Sequence, residues 1–209
     1  MKRIFLSFLS FIIFVSFTIS FTSCENKLES EPPALEDIRE RLIYLIEESK
    51  ELNVVFFGKG LPIYVRESEI AERKMVYYTI NSGNYDRVND HSEFKTPEAI
   101  KISAEKVYSK DYTSAIYESA FDGIMTGSTS AYVRFYDSAD GFMQNTNATD
   151  FKIEERIYDY STLKIIEPSN ADYINVEIDS YTLSDKEIEK VYLSFTYENG
   201  GWYLDSPSY

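Results

Sequence analysis

Apolar residues in this chain recur with different spacings, and each change of spacing marks a change of structure. Ile4 to Phe21 is a dense run of Phe, Ile and Leu broken only by scattered hydroxyl residues. Glu25 to Ala34 has no apolar period and contains Pro32-Pro33, so it predicts an extended tether that reaches ~35 Å at ~3.5 Å per residue. From Leu35 onward, Leu35, Ile38, Leu42, Leu45, Ile46 and Leu52 fall on one helical face. Glu36 and Asp37 stand at the positive end of that helix's dipole, and Gly58, Gly60 and Pro62 stop it. The pattern predicts a long amphipathic helix over residues 35–57.

Two short β-like segments follow, Ile63-Tyr64-Val65 and Met75 to Ile80, and then the polar stretch Asn81 to His91, which reads as a loop. Thr96-Pro97-Glu98 is a helix start, a hydroxyl N-cap before a proline whose missing N–H costs nothing in the first turn. Ile100, Ala104 and Val107 continue it, and Ser109 caps a second short helix through Tyr112, Ile116 and Ala120 to Gly123. Beyond Gly127 the period becomes two: Ala131, Val133 and Phe135 alternate with Tyr132, Arg134 and Tyr136, and Asp140-Gly141 turns the chain into Phe142-Met143. Arg156 to Tyr160 and Lys164 to Glu167 predict two more strands. Ile174, Val176 and Ile178 mark another, and Val191, Leu193, Phe195 and Tyr197 another, with Asn199-Gly200-Gly201 as a hairpin turn into Trp202-Tyr203-Leu204. Helices early and strands late predict an α+β fold: a long helix and two shorter ones packed on a mostly antiparallel, curved sheet whose outer face is wet.

The first apolar run needs a separate reading. Lys2 and Arg3 precede it and no charge follows until Glu25, the layout of a signal peptide, although ~20 apolar residues would also suffice for a spanning helix. Phe21-Thr22-Ser23-Cys24 resembles the lipobox of bacterial lipoproteins, with Phe21 where that family has an aliphatic residue. The resemblance implies cleavage between Ser23 and Cys24, acylation at Cys24 and residence on the outer face of the cytoplasmic membrane. The expected organisation is a signal peptide over 1–23, a lipidated tether over 24–34 and a single acidic domain over 35–209. With the sole cysteine committed to lipid, that domain has neither a disulfide nor a thiolate, and its core must hold it together unaided.

Charge narrows the partners. Removing Lys2 and Arg3 leaves 19 cationic residues against 35 acidic ones, a formal charge of −16. Nucleic acid and anionic polymers would be repelled, and a cationic exported or wall-associated protein attracted. Catalytic and metal chemistry find little support. His91 is the only histidine, so a histidine-based triad or a His-rich metal site is not available. Ser-x-x-Lys occurs at Ser92-Lys95, Ser103-Lys106 and Ser161-Lys164 without the companion motifs of serine acyltransferases. Gly141 lacks the alternating acids of a calcium loop, and no glycine-rich phosphate loop is present. Nothing calls for a cofactor, and no catalytic residue is assigned. The acids nonetheless supply many pairs from which a carboxylate-based wall hydrolase could be built, and capture of a small ligand is the remaining alternative.

All eighteen tyrosines lie beyond residue 23, and Tyr132, Tyr136, Tyr192 and Tyr203 alternate with apolar positions, as residues on a sheet's outer face do. Tyrosine anchors interfaces because it offers rigid area with a polar tip. Candidate partner-binding residues are therefore Tyr132 and Tyr136, with Asp86 and Asp90 of the polar loop. The strand Tyr77-Tyr78, the helix start Thr96 to Ile100 and Val107-Tyr108-Ser109 resemble the corresponding segments of bacterial inhibitors of cell-wall D,L-endopeptidases. The resemblance covers roughly residues 75–121, implies a two-lobed inhibitor of a wall hydrolase, and transfers no functional residue.

Overall fold

A computed structural model describes residues 30–64, 85–123, 125–126, 129–130, 133–145 and 153–209. The apolar run, Ser23 and Cys24, the strand expected over Met75 to Ile80, and Tyr132 lie outside the described residues. Glu31 to Tyr209 forms one compact unit. It is an α+β domain of helices and antiparallel sheets, as the pattern predicts.

Helix α1 spans Leu35–Phe57, and its stripe Ile38, Leu42, Leu45, Ile46, Leu52, Val55 and Phe56 is buried. It packs across the inner face of the four-stranded sheet β6–β7–β8–β9, formed by Arg156–Ile166, Tyr173–Thr182, Glu189–Glu198 and Gly201–Leu204. Ile174, Val176, Ile178, Leu193, Phe195, Trp202 and Leu204 face the helix, and the intervening residues face outward because side chains alternate along a strand. Arg39 and Arg41, two positions apart and so on opposite flanks of the helix, reach opposite edges of this sheet. Arg39 donates to the Tyr160 carbonyl on β6 and Arg41 to the Trp202 carbonyl on β9. At the far end of β8, Asn199 and Gly200 both take positive φ, at 50° and 84°, the geometry of the tight hairpin turn that Asn-Gly favours.

Helix α2 (Pro97–Val107) and helix α3 (Lys110–Tyr117) begin where their capping residues place them. The Thr96 hydroxyl accepts from the Ala99 amide, and the Ser109 hydroxyl accepts from the Tyr112 amide. The α3 segment continues as one wide π-helical turn, Glu118–Asp122, that ends at Gly123 with φ 77°. Between the helices, Tyr108 bridges Leu204 in parallel, and the Ser109 amide donates to the Leu204 carbonyl. The interhelix corner therefore covers the β9 edge, which would otherwise expose unpaired backbone.

Several expectations are corrected. Asn81 to His91 is not simply a loop: Tyr85–Arg87 is strand β1, the edge of a second sheet ordered β1–β5–β4, with β4 over Phe135–Ser138 and β5 over Gly141–Asn145. Among the described residues the expected single sheet is thus two, with a separate two-stranded pair, β2 (Met125–Thr126) and β3 (Thr129–Ser130). Of the segment expected at Ile63-Tyr64-Val65, Val65 lies outside the described residues, and Ile63 forms an isolated antiparallel bridge to Val88. Arg156–Tyr160 and Lys164–Glu167 belong to one strand, β6, whose register shifts between Asp159 and Lys164. The cause is local: the Asp159 carboxylate accepts from the Ser161 amide and hydroxyl, pulling the backbone out of the ladder, and the Thr162 hydroxyl fills the gap by accepting from the Asp179 amide. Arg134, expected on a wet face, is buried.

Candidate functional site

The residues singled out from sequence do not share one surface. On β1, Asp86 pairs in register with Gln144, which pairs with Phe135; the next row runs Arg87, Met143, Tyr136. Alternation therefore puts Asp86 and Tyr136 on opposite faces of the three-stranded sheet. Tyr136 is 37 % exposed and meets the ring of buried Tyr85 edge-on. Asp90 lies just past β1, ion-paired with Arg87 at 2.9 Å, and the Arg87 guanidinium stacks over the Tyr64 ring. Hydrogen bonding to the Tyr64 hydroxyl, with the Arg87 charge beside it, holds the Asp90 carboxyl below its ordinary range. Asp90 is thus already engaged by a cation of its own chain, which weakens its claim on a partner's.

The outer face of the four-stranded sheet gathers more. No described helix covers it. Tyr173, Tyr181, Tyr192 and Tyr203 lie on it by alternation; Tyr192 is 60 % exposed, the other three are half-buried, and Tyr203, on the edge strand, has the Arg41 guanidinium of α1 over its ring at 5.6 Å. Next to Tyr192 in register sits Glu177, whose carboxylate pairs with Lys164 at 2.8 Å and with Lys190. Those two ammonium groups pull the Glu177 carboxyl down to about 2. Lys190 also reaches Asp179 at 3.4 Å. The Tyr173 hydroxyl, the Ser194 hydroxyl and the Asn175 side-chain oxygen form a mutual hydrogen-bonded group, each within 3.0 Å of the others. The result is an outward surface of tyrosine rings and mutually neutralised charges. Sequence periodicity identifies Tyr192 and Tyr203 correctly as outward, but not the ion-pair network beneath Tyr192, which joins residues from three strands.

A cleft of about 610 Å³ lies beside the C-terminal half of α1. Lys50, Glu51, Asn53, Val54, Gly58 and Lys59 line one side, and Ile153 to Arg156 with Ser208 and Tyr209 complete it. Its floor is fastened by buried polar groups. The Ser208 hydroxyl bonds to the Ser49 hydroxyl at 2.6 Å and accepts from the Asn53 amide at 2.8 Å, while the Tyr158 hydroxyl donates to the Ser208 carbonyl. Tyr108 adds a bond to the Asn53 side-chain oxygen at 2.9 Å. Burial removes the phenols' access to water, so Tyr108 is held well above its ordinary range and Tyr158 is pushed up to about 12; both stay neutral and donate. At the rim, Glu51, though largely exposed, is pushed up to about 7 by the partial desolvation of its carboxyl and by the hydrogen bond and negative charge of Glu93. A carboxyl that exchanges its proton near neutrality could serve as a general acid, and no motif announces it, because Glu51 and Glu93 meet only in space. Among the described residues no cluster of His, Cys, Asp and Glu is arranged to hold a metal, and no helix is long and apolar enough to cross a membrane.

An α+β domain of two antiparallel sheets, with an open tyrosine-bearing face and a polar cleft, is the class this geometry defines. No protein-family model matches the chain, and no curated protein matches it.

Proposed function

We propose that the protein is a lipid-anchored extracytoplasmic module, not an enzyme, that binds a cationic exported or wall-associated protein through the outer face of the β6–β9 sheet and inhibits a cell-wall hydrolase. One observation carries the reading: Tyr192, 60 % exposed, stands on an uncovered sheet face among three further tyrosines. Exposed rigid aromatics over locally neutralised charge provide area at little desolvation cost. The charge of −16 beyond the leader supplies long-range attraction for a cationic partner. Lipid on Cys24, with the 24–34 tether, would hold the domain clear of the membrane.

The test is binding of the full chain, in detergent micelles, to an exported wall endopeptidase across a salt series. Screening over ~8 Å at physiological ionic strength should lower the on-rate as salt rises. Tyr192→Ala should speed dissociation about tenfold or more, as loss of an aromatic anchor does. Binding indifferent to both salt and Tyr192 rejects this surface. In cells, Cys24→Ala should abolish lipid labelling and membrane retention; unchanged retention would identify a spanning anchor instead. A second reading, a carboxylate-based wall hydrolase, draws on the high Glu51 pKa at the cleft rim. Peptidoglycan cleavage by the chain that Glu51→Gln abolishes would establish it.

A further inference from the structure

The cleft beside α1 carries its charges in an order that specifies a ligand. The α1 side presents Lys50 and Lys59 against Glu51, and the β6 side presents Glu154 and Glu155 against Arg156. Most of these are satisfied within the chain: Lys50 pairs with Glu47 at 2.8 Å, Arg156 pairs with Glu189 at 2.9 Å and donates to the Ser180 hydroxyl, and Glu154 accepts from Ser184. Among the described residues, Lys59 and Glu155 have no ion-pair partner. One unpaired cation therefore stands on the α1 side and one unpaired carboxylate on the β6 side. Between them Val54, Ile153 and the Tyr209 ring, which packs on Phe57 at 5.0 Å, offer apolar surface over the buried, mutually bonded Asn53 and Ser208. The volume falls within the ~300–1,000 Å³ of ligand clefts.

We propose that this cleft binds a short zwitterionic peptide, its terminal carboxylate toward Lys59, its terminal ammonium toward Glu155, and small apolar side chains against Val54, Ile153 and Tyr209. A simple anion would meet Glu154 and Glu155, and a simple cation would meet Lys50 and Lys59; only a ligand bearing both signs is matched on both sides. The proton that Glu51 holds up to about pH 7 in its contact with Glu93 leaves the α1 side net positive, which favours the carboxylate end there. The site is independent of the tyrosine face, and its occupancy neither requires nor excludes a protein partner on the sheet.

The probes are trialanine, its N-acetyl form and its C-terminal amide, titrated at millimolar concentration into the full-length protein in detergent micelles and followed by backbone amide shifts. Trialanine should perturb the amides of Lys59, Glu155 and Tyr209. Each capped form should bind about three- to fivefold more weakly, the size expected for losing one exposed charge contact. Lys59→Gln should make the amide and the free acid bind equally, and Glu155→Gln should do the same for the acetylated and free amines. Both side chains are exposed, so neither change threatens the fold. Equal binding of all three peptides by the parent protein, shifts confined to residues outside the cleft, or no shifts at all would overturn the assignment.

Discussion

The four-stranded and three-stranded sheets are built from different material. In β6–β9 three of the strands run to ten or eleven residues, with only the edge strand β9 short, and the inner face is aliphatic and aromatic, Ile174, Val176, Ile178, Leu193, Phe195 and Trp202. The pattern of each strand declares its own orientation, because slipping the register by one residue would turn that whole set into water. In β1–β5–β4 the strands are three to five residues long, and groups at or beside them are buried that no hydrophobic pattern would bury. Gln144, 2 % exposed, accepts from the Leu61 amide at 2.6 Å and donates to the Lys59 carbonyl. Arg134, 7 % exposed, donates to the Val55 and Gly58 carbonyls at 2.7 and 2.5 Å. These side chains tie the small sheet to the end of α1, where helical carbonyls lack intrahelical partners and the dipole is negative. Burial pushes the Arg134 guanidinium down to about 10, so it is still protonated at neutral pH. Gly60 belongs to the same junction. Its φ is 79°, and a methyl there would overlap the Gln144 amide. One sheet is thus specified by apolar area, the other by hydrogen bonds that exist only once α1 has docked.

If that contrast is right, the largest loss should come from the apolar sheet. Trp202 is 6 % exposed, packed against Tyr197, and Trp202→Ala should cost ~3–5 kcal/mol through lost burial and the cavity left behind. Urea unfolding would measure it, and a loss under ~1 kcal/mol would mean that the inner face is not what holds this sheet. Arg134→Leu sharpens the comparison from the other side. It keeps apolar bulk but leaves the Val55 and Gly58 carbonyls without their guanidinium partner, and should cost ~2–3 kcal/mol. Hydrogen exchange should then rise in Phe135–Ser138 and in the last turn of α1 while Ile174–Ile178 stays protected. Equal loosening of both sheets would show that they are not distinct in origin.

The smallest effect concerns the rim of α1. The Glu51 carboxyl is raised in the folded protein from its ordinary 4.5 to about 7, so the folded state holds its proton longer than the unfolded chain does. That contribution is fully present below pH ~4.5 and is lost as pH rises through ~7, where two carboxylates are left facing each other. The group is largely exposed, and solvent screening keeps the effect below ~1 kcal/mol. Glu51→Gln should therefore flatten the stability profile between pH ~4.5 and ~7 and leave the variant slightly more stable than the parent at pH 8. A profile unchanged by the substitution would place the Glu51 proton elsewhere.

What the chain determined by itself is whatever is decided within a few residues. Thr96-Pro97 and Ser109 start helices because a hydroxyl reaches an amide three positions on, and Asn199-Gly200 turns because those residues tolerate positive φ; each is where the local pattern puts it. The stripe of α1 and the alternation of β7 and β8 are equally legible, since each repeats a period against one apolar surface. The tertiary structure decided the rest. Tyr85–Arg87 is a strand only because β5 offers it a ladder, and three residues between Asn84 and Val88 are too few to carry a period. Asp159–Ser161 interrupts β6 through a side-chain bond that competes with the ladder, so one strand looks like two. Asp86 and Tyr136 fall on opposite faces through register across β5. The Ser49–Asn53–Tyr108–Ser208 cluster, the Glu51–Glu93 contact and the charges of the cleft join residues far apart in the chain. Their meeting depends on docking free energies summed over the whole core, which no local pattern encodes.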